Sequence, residues 1–486
     1  MFIDFNQLKT ADEDRLTYKY FSGGEWLESD SGMLLDVISP IDNSLVGRVQ
    51  QCTEDDIDTC ITNASLAKSA WASLSLEDRI SVFKNVIFLL KRNKKIFIEL
   101  LMRELGKLEN EAEEEIEKTL AFLKNLIQEK KWEKESRIFR RGKICYLKRL
   151  PLGVILGIVP FNFPIYISAT KIGPALIAGN SCVIKAPSQG AISLLHFVQL
   201  FKEAGVFEGA LNVITGKGEK IGEFLITHEL IDMISFTGSS SVGEFVAEKA
   251  KLVPLVLALG GKNAAIVLPD ANLKKAVKEI AMGAFTFAGQ RANAIKRVII
   301  IESIADKFIK LLKNFVEVHF KRVGDPFDKR TQLGPVRSKE QTDYLKELLE
   351  DAKEKGAKIV LGGKTKKETY FQATVIDKVT PQMRIAWEEQ FGPILPILRV
   401  KDIIKAVDLH NASDYGLGVS VFTKNLKKAK ELAQALEAAI VQINGKTQRA
   451  PDNFPFMGQG ISGVGVEGIP WSIESMTQFK ATIINR

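Results

Sequence analysis

The chain has 486 residues, of which 45% are hydrophobic and 26% charged, with a net charge of +8. At roughly 100–200 residues per domain this length makes two or three domains with real cores, and the apolar share excludes a chain kept disordered by low hydrophobicity. The charge is too mild to make nucleic acid an expected partner, and lysines mix with acids, as in Lys346-Glu347-Leu348-Leu349-Glu350-Asp351, the pattern of a solvated helix face.

Met1 to Arg15 carries Asp4, Asp12, Glu13 and Asp14 and lacks an apolar h-region, so it does not read as a signal peptide. Up to about Leu150 the chain mixes a few strands with charged helices, predicted over Asp55–Trp71, Glu77–Lys91 and Lys94–Glu104. The densest basic stretch, Lys130 to Lys143 with Arg137, Arg140 and Arg141, has two readings: a nucleic-acid patch, or an exposed strand edge kept soluble by charge. The second fits better, because Arg137–Arg149 alternates as one extended strand. From Val154 short apolar runs (Val154–Val159, Ser181–Ile184, Leu211–Ile214, Asp232–Phe236, Leu255–Leu259) alternate with helical stretches near Ile165–Ala178, Ala191–Ala204, Glu219–Thr227 and Ser241–Lys251. That alternation predicts a parallel, doubly wound α/β sheet, which binds ligands beyond the carboxyl ends of its strands. The most apolar stretch, Val154–Ala169, is broken by Pro160, Asn162 and Pro164 and is too short to span a bilayer, so no membrane partner is expected.

A second alternating series runs from Ala264–Leu268 to about Ile443, through a helix ending near Gly289, a strand Arg297–Ile301 and a helix Ile304–Val318. It reads as a second α/β domain. The terminal Ala481–Asn485 reads as a strand that joins Arg137–Arg149 in a small separate sheet. Cys52, Cys60, Cys145 and Cys182 form neither a CxxC pair nor zinc spacing, which fits a reducing cytoplasm. His196, His228, His319 and His410 form no cluster with metal spacing, so no metal is expected.

Five motifs occur in order: Asn162 within Pro160-Phe-Asn-Phe-Pro164, the turn Phe236-Thr-Gly-Ser239, Leu259-Gly-Gly-Lys262, Gly289-Gln290 and Glu389-Gln-Phe-Gly-Pro393. Together they resemble the motif set of the aldehyde dehydrogenase superfamily, from about Tyr20 to Ile484. Three longer stretches are similar to its non-phosphorylating glyceraldehyde-3-phosphate dehydrogenases: Gly289–Arg297, Trp387–Pro393, and Ile443–Arg449 with Asp452–Phe456. The resemblance implies a Rossmann-type cofactor-binding domain (1–136 and 150–257), a catalytic α/β domain (258–443) and an oligomerisation sheet (137–149 and 470–486). A homotetramer or homodimer is implied with them.

The turn at Gly238 and Ser239, with Gly243 in the following helix, can present backbone N–H groups and a helix dipole to a pyrophosphate. Read alone, it is better explained as a plain strand-to-helix turn capped by Ser239; the surrounding motifs reverse that preference. By resemblance Lys185 meets the adenosine ribose, Gly218 belongs to the cofactor site, Glu389 holds the nicotinamide ribose and Phe391 packs near the nicotinamide. Ser188 stands where NAD-preferring members often carry Glu; without a carboxylate there a 2′-phosphate is not repelled. The expected cofactor is therefore NADP, with NAD left open.

Family chemistry needs a cysteine thiolate to attack the aldehyde, an asparagine (Asn162) to stabilise the oxyanion, and a glutamate to activate water against the thioester. The sequence departs at both reactive positions: the nucleophile position is Ala292 and the general-base position is Ala258. A methyl group neither attacks a carbonyl nor moves a proton, so the chain as written is expected to bind its ligands without turnover. Two explanations compete: deliberate substitution, which the whole state of the other motifs favours, and a natural, catalytically silent nucleotide- or metabolite-binding protein. For a substrate phosphate, Arg291 and Arg449 match two family arginines, Lys118 stands in place of a third and Phe163 in place of a tyrosine, with Asp452 beside them. A guanidinium fork suits phosphate; ion pairing of Arg449 with Asp452 is the structural alternative. The expected ligand is a small phosphorylated aldehyde, with another small aldehyde such as glyceraldehyde as the alternative.

Overall fold

Runs rich in Val, Ile and Leu form five parallel strands, Val154–Ile158, Ser181–Lys185, Leu211–Ile214, Met233–Thr237 and Leu255–Ala258, almost wholly buried because helices cover both faces. This computed structural model describes residues 3–11, 15–449 and 451–485. Asp12, Glu13 and Asp14, on which the reading of the N-terminus partly rests, lie outside the described residues, as do the domain limits 1 and 486. Across the sheet the strands beginning at Leu255, Met233, Val154, Ser181 and Leu211 lie in that order. The first strand in the chain therefore sits beside the fourth. The loops leaving Val154–Ile158 and Met233–Thr237 diverge from this switch point and leave a crevice at the carboxyl ends. Three short antiparallel strands extend the sheet: Tyr20–Ser22 and Glu25–Leu27 at one edge, Gly463–Val464 at the other. Strands of two or three residues carry no periodicity, which is why the sequence did not announce them.

The second series folds as a seven-stranded sheet in the order Lys358–Leu361, Thr374–Asp377, Ile394–Val400, Arg297–Ile301, Ala264–Val267, Gly418–Phe422 and Ile440–Ile443, parallel except for the first pair. A three-stranded sheet of Thr17–Tyr18, Leu45–Gln50 and Leu34–Ile38 stands apart.

Two expectations need correction. Arg137–Arg149 is not one strand but a hairpin of Ser136–Arg140 and Lys143–Pro151. Arg141 and Gly142 both take positive φ, 45° and 75°, as a two-residue hairpin turn requires. The C-terminal strand Thr477–Asn485 pairs along Lys143–Pro151, so the small sheet forms, and Ser136–Arg140 is its open, fully exposed edge. The helix expected to end near Gly289 stops at Phe285; Phe287, Ala288 and Gly289 follow in left-handed conformation, with φ of 53°, 49° and 69°. The three early helices form at Glu54–Ser73, Leu76–Arg92 and Lys94–Leu105, and Glu109–Leu126 follows. Among the described residues no helix is long and apolar enough to cross a membrane.

Helix Ala191–Glu203 begins after Gly190, which has no side chain to cap it. Glu104, fully buried, caps it from another helix by accepting the N–H groups of Ile192 at 3.0 Å and Ser193 at 2.9 Å and the Ser193 hydroxyl at 2.6 Å. Burial pushes its carboxyl pKa up, against these hydrogen bonds. Glu104→Ala leaves two buried N–H groups without an acceptor and is expected to destabilise the protein by about 2–3 kcal/mol, with Glu104→Gln less harmful. Denaturant unfolding of the three proteins checks this; an unchanged midpoint for Glu104→Ala counts against the cap.

Candidate active site

The crevice is built from loops fixed by buried carboxylates. Pro164 opens the helix Pro164–Ile177 with its φ already suited to the first turn. The next two N–H groups, Ile165 and Tyr166, donate to one oxygen of Glu115 at 3.0 and 3.1 Å. Its other oxygen takes the ammonium of Lys107, and both side chains are fully buried. That ammonium also lies 3.9 Å from the ring centre of Phe163 and 4.7 Å from that of Phe287, so charge and ring faces hold it together. Asn162 is thereby set at the pocket wall, 8% exposed, its amide donating to the Gln290 carbonyl at 2.9 Å. A primary amide nitrogen has a second hydrogen, which this bond leaves free.

The left-handed stretch 287–289 is held by Glu111, whose carboxylate accepts the Phe287 N–H at 2.5 Å. Burial pushes the Glu111 carboxyl up, against backbone hydrogen bonds from Leu108 and Phe287. Gln290 donates to the Pro335 carbonyl at 3.2 Å and accepts from the Arg337 N–H at 2.8 Å. The Ala292 carbonyl accepts from Asn263 at 2.8 Å and from Lys296 at 2.5 Å. Ala292 is thus anchored by its backbone. Ala258, the last residue of its strand, lines the same pocket as Ala292 and Asn162, a cavity of about 110 Å³. Nothing in that arrangement supplies a nucleophile or a base at 258 or 292.

Cations gather in the same pocket. Arg291 donates to the Gly283 and Met282 carbonyls at 2.7 and 3.3 Å, and its buried Nε has no partner. Arg449 is ion-paired chiefly with Glu467 at 2.5 Å and more loosely with Asp452 at 3.7 Å, while its buried Nε and Nη2 make no hydrogen bond. Burial pushes the Glu467 carboxyl up, but Arg449 and Lys171 together hold it below its ordinary value. Lys118 lines the mouth, half exposed and paired with Glu114 at 2.6 Å. Lys446, which the sequence reading did not single out, lines the wall; burial, and then Arg291, lower its amine pKa. Asp452 does not line the pocket. It accepts the Tyr166 hydroxyl at 2.5 Å and lies 3.7 Å from the Arg449 Nε, so it is placed to orient these two side chains and not to line the pocket.

On the other side of Ala258, Thr237 ends its strand with a buried, unpartnered hydroxyl. Ser239 caps helix Ser240–Lys249 by accepting the Val242 N–H at 3.4 Å. A Cβ at Gly243 would come within 2.4 Å of Leu259, so glycine permits the helix to approach that strand end. Lys185, at its strand terminus, is 7% exposed with its pKa lowered by burial to about 8; Ser188 is exposed in the following loop, and Gly218 opens helix Gly218–Thr227 with open space around it. Glu389 accepts the Gly261 N–H at 3.1 Å and pairs with Lys296 at 2.9 Å. Phe391 takes a left-handed φ of 41°, its ring 6.1 Å from that of Phe161.

The residues missed by sequence reasoning are Lys107, Glu111, Glu115, Lys171, Lys296, Lys446 and Glu467. Lys296 and Lys446 stand inside quoted motif stretches and were readable there. Glu111 and Glu115 sit in an acid-rich helix whose pattern reads as a solvated face.

The aldehyde dehydrogenase family model matches residues 26–482, and the chain belongs to that family. Among its relatives is the NADP-dependent glyceraldehyde-3-phosphate dehydrogenase of Streptococcus equinus, 38% identical over 476 residues, covering 96% of this chain and 98% of that protein. The lactaldehyde dehydrogenase of Methanocaldococcus jannaschii is 32% identical over 470 residues, covering 96% of this chain and 100% of that protein. The crystal structure of the NADP-dependent glyceraldehyde-3-phosphate dehydrogenase of Bacillus halodurans C-125, complexed with NADP, has a TM-score of 0.94 at 39% identity, covering 96% of this chain and 99% of that one.

The pocket is open at position 292 and Lys296 and Arg291 stand close by, conditions that favour a thiolate. Ala292→Cys is therefore expected to introduce a thiol that iodoacetamide alkylates quickly. Cys52, its pKa pushed up by burial to about 12, stays inert, as do buried Cys60 and Cys182. Peptide mass spectrometry after timed alkylation reads each site; equal labelling of the new thiol and Cys52 would contradict the geometry.

Proposed function

We propose that this chain carries the pocket of an NADP-dependent, non-phosphorylating glyceraldehyde-3-phosphate dehydrogenase and, with Ala258 and Ala292, binds without turning over. One observation carries the reading: Arg291, Lys446 and Arg449 converge on the cleft that holds Asn162 and both alanines. The parent reaction is glyceraldehyde 3-phosphate + NADP⁺ + water → 3-phosphoglycerate + NADPH + two protons, with no added phosphate.

The residues present fit the cofactor. Lys185 is a buried amine with no ion-pair partner among the described residues, Thr237 has an orphaned hydroxyl, and the Gly238-Ser239 turn opens a helix towards the crevice. Lys185 and Ser188 would hold the adenosine ribose and its 2′-phosphate, Ser239 the pyrophosphate and Glu389 the second ribose, with Phe391 packed near the nicotinamide. Bound there, NADP supplies a hydride acceptor. Unpartnered donors of Arg291 and Arg449 and the Lys446 amine take the substrate phosphate, which points the aldehyde at position 292. The free amide hydrogen of Asn162 and the backbone N–H of 292 polarise its oxygen. At that point this chain stops: no thiolate stands at 292 to make the acyl intermediate and no carboxylate at 258 to activate water. The division into cofactor-binding, catalytic and oligomerisation parts, and assembly through the open edge Ser136–Arg140, belong to the same proposal, as does a reducing compartment for four free cysteines.

A second reading, a smaller unphosphorylated aldehyde, draws on Phe163, which offers no hydroxyl, and on the Glu114 partner that neutralises Lys118. The substrate test separates the two. Arg449→Ala is expected to weaken glyceraldehyde 3-phosphate at least about tenfold more than glyceraldehyde, the worth of a charge-assisted contact of roughly 1.5–3 kcal/mol. Calorimetry with both aldehydes reads the ratio; equal losses make Arg449 purely a partner of Glu467.

The test of chemistry is restoration. The chain as written should show no turnover. Ala292→Cys should give one burst of NADPH and a persistent acyl-enzyme, Ala258→Glu alone nothing, and both together steady turnover, a non-additive pattern for groups acting in sequence on one intermediate. Rapid-mixing absorbance with mass spectrometry follows it. A doubly restored protein that binds NADP and oxidises no aldehyde would favour a ligand-binding sensor.

A further inference from the structure

Lys296 is 1% exposed and belongs to neither group above. Its ammonium donates to the Ala292 carbonyl at 2.5 Å and lies 2.9 Å from the Glu389 carboxylate and 6.0 Å from the ring centre of Phe391. It therefore touches, with one nitrogen, the loop of the nucleophile position and the residue read as the nicotinamide-ribose ligand, and lies at the outer range of the ring read as packing near the nicotinamide. The sheet brings them together: Lys296 precedes strand Arg297–Ile301, Glu389 precedes Ile394–Val400, and these strands pair in parallel.

We propose that Lys296 is a positioning residue that locks the carboxylate for the nicotinamide ribose to the loop carrying position 292, so that seating the cofactor and aiming the reacting position are one event. The inference rests on the reading of Glu389 as the ribose ligand. The carboxylate is confined on every side the structure describes. Oε1 accepts the Gly261 N–H, Lys296 holds the same oxygen, and Gly260 approaches so closely that a Cβ there would lie 2.4 Å from Oε2. Lys296 is buried where water screens little, so its contact with the Glu389 carboxylate is strong. At its other contact it is one of two side-chain donors on the Ala292 carbonyl, Asn263 being the other. That carbonyl's direction sets the backbone torsion of 292 and hence where its side chain points. Removing the ammonium loosens both at once.

A lysine that merely neutralised a buried carboxylate would affect the whole protein; a positioning lysine affects one half of the cofactor. Calorimetric titration of Lys296→Met with NADP and with adenosine 2′,5′-bisphosphate, which has no nicotinamide ribose, distinguishes these. The expected result is a loss of roughly tenfold or more for NADP, unchanged binding of the bisphosphate, and recovery of most NADP affinity in Lys296→Arg. Unchanged or tighter NADP binding, or a parallel loss of both ligands, overturns it. Should Lys296→Met not fold, Lys296→Gln is expected to show the same selective loss. Glu389→Gln is the reference. If it leaves NADP binding intact, the ribose reading fails and this inference with it; if it weakens NADP while the Lys296 variants do not, the coupling alone fails.

Discussion

The site depends on buried carboxylates that accept backbone N–H groups where loops leave the sheets. Glu104, Glu111 and Glu115 come from two successive helices, Lys94–Leu105 and Glu109–Leu126. Glu104 caps helix Ala191–Glu203 beside the loop that follows Lys185 and carries Ser188; Glu115 caps helix Pro164–Ile177 next to Asn162; Glu111 holds the left-handed turn that leads to Ala292. A backbone donor withdrawn from water must find an acceptor, and an ionised one makes the stronger bond. One helical arm therefore sets three loops that are far apart in sequence.

Some buried carboxylates carry countercharge, and its distribution shapes the pocket. Glu115 has Lys107, itself seated on two aromatic rings, and Glu467 has Arg449 and Lys171. Arg291 instead turns its Nη2 to two carbonyls and leaves its Nε without a partner, and among the described residues the Lys446 ammonium is in no ion pair, although its backbone N–H donates to Glu279. The pocket wall thus carries Lys107, Lys118, Arg291, Lys446 and Arg449 against Glu111, Glu114 and Glu467, a positive balance suited to an anionic ligand.

Much of this architecture was legible. The five parallel strands and their crossovers follow from apolar runs bounded by turns, and the strand ends at Thr237 and Ala258 fall within a residue or two of their expected places. The alanines at 258 and 292 were readable because surrounding motifs fixed the frame. The hairpin at Arg141-Gly142 was lost because Ser136–Arg140 and Lys143–Pro151 share one alternation, and a single glycine is a faint turn signal. Glu111 and Glu115 were illegible for a deeper reason: in an acid-rich helix nothing marks which carboxylates turn inward, since that depends on N–H groups dozens of residues away.

The left-handed run at Phe287, Ala288 and Gly289 bears on how such a protein tolerates change. Branched side chains are disfavoured at 287 and 288, and a Cβ at Gly289 would lie 2.5 Å from the Gly392 carbonyl. By contrast Ala292, anchored through its carbonyl, turns a methyl into open space. Room for a different side chain is thus greater at 292 than in the turn that presents it. A side chain at 292 can be exchanged while shape survives, whereas a change three to five residues upstream would forfeit the frame itself.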